Sequence, residues 1–223
     1  MPDDSAEVHS VIDVHPPHAS AHSWRDILIH LFTITLGLII ALSLEGLVEW
    51  QHHRHLVHDA EASLHDEIQS NASGMADTVA TLHQNQADLK HAVDMLNILI
   101  ATKKLPNGGM TIGYRIVTFD NVSWKTAQTT GALSYMPYSL AKEYANIYGT
   151  QEELTAAEQQ AARDAVLNLG VFINLKHNDP DPTPEQAEAM KLRVETLQGQ
   201  LLLVDNYMKS LDRQYKQFLA AHP

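Results

Sequence analysis

Histidine is the residue type in this chain with the most chemical potential. There are 14, and ten of them lie within the first 65 residues. His52, His53, His55, His58 and His65 fall close to Asp59 and Asp66. His55 and His58 are three apart, and His55 and Asp59 four apart, so each pair shares one face of a helix. Two imidazoles and a carboxylate bind zinc, copper or nickel when a second helix or protomer supplies further ligands. His83, His91 and His177 stand alone and offer no matching pair. The same cluster also suits a polar collar at a membrane border, or a switch that responds to pH. His55, His58 and Asp59 are therefore the candidate metal ligands, with the collar as the simpler use. His9, His15, His18 and His22 sit in a polar tail, as solvated residues or weak metal ligands.

A second group is aromatic. Trp124, Tyr135, Tyr138, Tyr144 and Tyr148 gather around Gly131. Trp124, Tyr135, Tyr144 and Tyr148 would line a small-molecule pocket, or else form the core that caps a helical bundle. No catalytic constellation accompanies them. Gly108-Gly109 lacks the Lys-Ser/Thr sequel of a phosphate loop, and there is no nucleophile elbow or His-Glu-x-x-His. The absence of cysteine excludes thiolate chemistry, disulfides and Cys-ligated metals. The expectation is a chain with no catalytic residues, no cofactor and no enzymatic activity. Lys plus Arg number 15 against 27 Asp plus Glu, a net charge of −12. Such a surface repels phosphate backbones and is a poor partner for nucleic acid.

These residues need elements to position them, and the first is apolar. Residues 27–44 read ILIHLFTITLGLIIALSL, without a formal charge and interrupted only by His30. Eighteen helical residues span about 27 Å, near the ~30 Å of a hydrocarbon core. Trp24 and Trp50 bracket the run, as interfacial indoles do. The reading is a transmembrane helix over 24–50, acting as an uncleaved signal anchor. Its N-terminal flank lacks the basic region of a cleaved signal. His30 either reaches water near the border or faces a partner. Arg25 and Arg54 leave the positive-inside count tied, and the expectation taken is an N-terminus inside. Thr33, Gly37, Ala41 and Glu45 recur every four residues, so the small ones would let another helix approach closely.

The remaining expectations are helical. Residues 1–23 form a disordered polar tail. The 51–223 domain holds helices over about 51–104, 121–130, 137–177 and 184–221. The first carries apolar or neutral residues at Leu64, Ile68, Ala72, Met75, Val79, Leu82, Gln86, Leu89, Val93, Leu96 and Ile100. Leu169, Phe172 and Leu175 are expected to be buried in the third. Thr183, Pro184 and Gln186 give the last helix a capping box. Its seam runs Met190, Val194, Leu197, Leu201, Val204, Met208, Leu211, Tyr215 and Phe218. Residues 110–120, MTIGYRIVTFD, are β-like, but one such stretch makes no sheet, and it is read as an extended connection. The fold class is all-α: a transmembrane helix continuing into a long helix of an antiparallel three- to four-helix bundle with tight connections.

The anchor SWRDILIHLFTITLGLIIALSLEGLVEWQHHRH and the later SWKTAQTTGALSYMPYSLAKEYANIYGTQ resemble a family of bacterial single-span inner-membrane proteins. Ser123, Trp124, Thr130, Gly131, Tyr144 and Tyr148 are the matching positions, over about a third of the chain. The resemblance implies a bacterial membrane location and a helical extracytoplasmic domain, here periplasmic. It implies no activity and no catalytic residues. The function expected is a membrane-anchored helical interaction or scaffold protein. Its partners are the lipid bilayer and either a second copy or another membrane protein. The alternatives are an extracytoplasmic ligand-binding sensor acting through a partner, and a metal-dependent enzyme using the juxtamembrane histidines.

Overall fold

A computed structural model describes residues 23–108, 110–177 and 182–223, with the side chains of 170–177 left aside. The tail over 1–22, and the burial expected of Phe172 and Leu175, lie outside the described residues. Among the described residues the chain is all-helical. Its elements are α1 (Trp24–Thr102), α2 (Val122–Thr129), a short 3-10 turn (Ala132–Ser134), α3 (Tyr138–His177) and α4 (Pro184–Ala221). The chain divides into two compact units, Met1–Gln51 and His52–Pro223.

In the first unit the helical residues are exposed throughout. An 18-residue window of α1 has a mean hydropathy of 2.5, and none of it is buried. The Thr33 and Ser43 hydroxyls donate to the carbonyls of Ile29 and Ile39, at 2.8 and 2.7 Å. They thereby satisfy themselves within the helix.

The second unit is built on one apolar core drawn from all four helices. In α1, besides Glu67 and Met95 at its sides, the buried track runs Leu64, Ile68, Asn71, Met75, Thr78, Leu82, Asn85, Leu89, Ala92, Leu96 and Leu99. Their steps alternate four and three, the period that keeps one helix face on its neighbours. The seam therefore differs from the expected one. Ala72, Val79, Val93 and Ile100 flank the core rather than forming it. The buried track instead passes through polar Asn71, Thr78 and Asn85, which an apolar count skips. In α4 the expected seam from Met190 to Phe218 is buried at every position. Leu169 in α3 is instead exposed.

Hydrogen bonds fix the helix directions. Thr150 in α3 pairs with Gln214, and Asp164 with Gln200, so α3 and α4 run oppositely. His65 in α1 pairs with the His222 carbonyl, and Gln86 with the Leu201 carbonyl, so α1 and α4 also run oppositely. Hence α1 and α3 run the same way, and the connection between them cannot be tight. From Thr102 back to the level of Asn71, where Asp120 is bound, is about 47 Å of helix. Eighteen residues reach that far only when nearly extended, at ~3.3 Å each. Residues 110–121 accordingly form neither helix nor strand. Their β-branched and aromatic composition is that of a chain held straight without a sheet.

Candidate functional site

An extended segment inside a helical domain has a physical problem. Its N–H and C=O groups lack the ladder of a helix or sheet, and buried ones must find other partners. Buried polar side chains of α1 and α3 supply them. Asn71 binds Asp120 in both directions, its amide donating to the carbonyl at 2.8 Å and its oxygen accepting from the N–H at 2.9 Å. Gln151 donates to the same carbonyl at 2.9 Å and accepts from the Tyr215 hydroxyl at 3.3 Å. Glu67 accepts from the Ser123 N–H and from the Tyr148 hydroxyl, both at 2.7 Å. Glu158 accepts from the Tyr114 hydroxyl at 2.9 Å and from the Val117 N–H at 3.3 Å.

Rings close over these bonds. Trp124 stacks on Tyr148, with centroids 4.9 Å apart and planes within 5°. Phe119 meets Tyr215 edge-on at 6.3 Å. Burial pushes the Tyr148 phenol far above its ordinary value, with Glu67 adding to the shift. Burial and Glu158 do the same to Tyr114. Tyr215 is raised chiefly by burial, with its bond to Asn71 opposing. Tyr144 is pushed up to about 12 by burial, then by Glu61 and Glu143. Glu158 is 1% exposed. Burial raises its carboxyl, while the bonds from Tyr114 and Val117 pull it back.

A general acid or base must reach the proton it moves. Glu67 instead gives both oxygens, and Glu158 its Oε1, to internal donors, and Glu158, Gln151 and Tyr148 are almost fully enclosed. The arrangement is a clamp that fastens residues 114–123 to α1 and α3. No protein-family model, curated protein or solved structure matches the chain.

The residues singled out in the sequence are distributed as follows. Trp124, Tyr144 and Tyr148 are buried together in the core, where Tyr144 lies 5.1 Å from the Phe218 ring. Tyr135 is apart from them, half exposed and stacked on His53 at 3.7 Å. His55, His58 and Asp59 are exposed on α1. Among the described residues no three His, Asp or Glu side chains gather into a metal-holding group. Thr33, Gly37, Ala41 and Glu45 are exposed along α1, and a methyl group added to Gly37 would meet no atom within 4 Å.

The clamp residues Glu67, Asn71, Gln151 and Glu158 escaped the sequence reading. A signal for three of them existed. Asn71 sits on the four-three track of α1, and Gln151 and Glu158 on that of α3 (Tyr144, Ile147, Gln151, Leu154, Glu158, Ala161). Polar residues that keep core phase call for partners.

Proposed function

We propose that this chain is a single-span bacterial inner-membrane protein whose helical domain, on the periplasmic side, acts as a non-enzymatic interaction module. The observation that carries the reading is the complete exposure of the apolar window in α1. Twelve large apolar side chains from Ile27 to Leu44 stand open. Left in water at ~1.5–3 kcal/mol each, they would forgo roughly 20–35 kcal/mol of burial. That exceeds the ~5–15 kcal/mol by which a domain is stable, so these side chains require an apolar surrounding. Length, tryptophan flanks and self-satisfied hydroxyls all suit lipid.

Within the span, Thr33, Gly37 and Ala41 supply the face on which a second helix packs, either from another copy or from another membrane protein. In lipid, association gains from close van der Waals approach, which small residues permit. Single cysteines placed at Thr33, Gly37 or Ala41 will form oxidative crosslinks in native membranes. Cysteines on the opposite face, at Thr35, Ile39 or Leu42, will not. Equal crosslinking on both faces, or none on either, contradicts pairing of this face between two copies of the chain. The chain has no cysteine of its own to confuse the result.

A further inference from the structure

The turn between α2 and α3 carries an unusual pair of exposed aromatics. Gly131, at φ 75°, ends α2 in the left-handed region, which glycine enters without strain. Ala132 and Met136 are buried and pin the turn to the core. Ser134, Tyr135, Pro137 and Tyr138 therefore point outward. Tyr135 is 51% exposed and Tyr138 84% exposed. Tyr135 is also held in place, its ring stacked on His53 with planes 16° apart.

His53 follows Trp50 by three residues. Three residues reach at most ~11 Å even when fully extended, and about 4.5 Å along a helix. If Trp50 sits in the interfacial belt, His53 lies within or beside the headgroup layer, which is roughly 5–8 Å deep. With Trp50 so placed, the three-residue separation along the chain is what imposes this. Tyrosine, with an apolar ring and a polar hydroxyl, is the side chain that such a layer accepts. We propose that the 134–138 turn, through Tyr135 and Tyr138, is a second membrane contact, docking the helical domain on the lipid headgroups of the bilayer that its own span crosses. This rests on the membrane reading of α1. The histidines His52, His55 and His58, together with Arg54, then border the same layer.

The full chain, reconstituted in lipid nanodiscs, tests this through single cysteines carrying an environment-sensitive fluorophore at Ser134, Ile39 or Leu192. All three positions are exposed, so labelling leaves the core intact. The expected result is loss of emission from Ser134→Cys with a headgroup nitroxide lipid, together with weaker quenching by aqueous iodide than at Leu192→Cys. Ile39→Cys should respond to a chain nitroxide lipid. Iodide quenching at Ser134→Cys as strong as at Leu192→Cys, with Ile39→Cys still quenched by the chain nitroxide, overturns the docking turn and leaves the span standing. An Ile39→Cys label blind to the chain nitroxide overturns the span, and the docking turn with it.

Discussion

At Glu158 two opposing effects meet in one side chain. Burial disfavours its charge, and the bonds from Tyr114 and Val117 favour it; burial is the larger. The folded chain therefore keeps this proton at pH values where the unfolded chain, with an ordinary carboxyl near 4.5, has released it. More protons bound to the native state means that stability falls as pH rises through that window. Glu158→Gln keeps an oxygen for Tyr114 and Val117 and removes the titration. In urea unfolding at pH 4 and pH 7, the wild type should lose stability relative to the variant on going to pH 7. A constant difference would contradict the assignment. Asn85 gives a second comparison. It lies on the buried track of α1 and its amide nitrogen has no partner among the described residues, whereas Asn71 binds Asp120 twice. Asn85→Leu should raise stability by about 1 kcal/mol, and Asn71→Leu should lower it by about 2 kcal/mol or more. Thermal melts of both variants check the contrast. Hydropathy counts pass over these positions because they score Asn, Gln and Glu as surface; only the four-three phase of Asn71, Asn85, Gln151 and Glu158 marks them in the sequence. Trp124, Tyr144 and Tyr148 were legible as a cluster, but lining and core look alike until the rings are placed.

Elements were more readable where local chemistry and packing agree. The start of α4 is a case: the Thr183 hydroxyl accepts from the Gln186 N–H at 3.3 Å, and the Gln186 side chain accepts from the Thr183 N–H at 2.8 Å. Its seam followed from apolar spacing alone, since only Asp205 among its buried residues is charged. The seam of α1 was misplaced because its track includes Asn71, Thr78 and Asn85. The direction of α3 relative to α1 was hidden as well, because it depends on the long return segment and on clamp residues far away in sequence. The end of α1 differs in detail. Pro106-Asn107-Gly108-Gly109 is the evident breaker, yet the helix stops at Thr102 with Lys103 at φ 58°. A side chain in that region is strained by roughly 1 kcal/mol, and glycine is the residue that ends helices there freely. Lys103→Gly should raise the unfolding free energy by about 0.5–1 kcal/mol. A loss of stability in chemical denaturation would argue against the left-handed cap.

On the scale of the whole molecule, the chain joins an apolar helical stretch with no buried residue to a helical unit closed around its own core. The all-α class was legible because helical periodicity runs through nearly every long segment, and the one β-like stretch had no partner to pair with. The apolar stretch was legible because 18 uncharged residues between two tryptophans need no tertiary information to recognise. A partner helix for that stretch would leave no such trace in a single chain. Extraction of membranes that contain the full chain with alkaline carbonate is the most direct check on the membrane reading. The account predicts that the chain stays in the pellet and is released only by detergent. Recovery of the full-length chain in the detergent-free supernatant would contradict it.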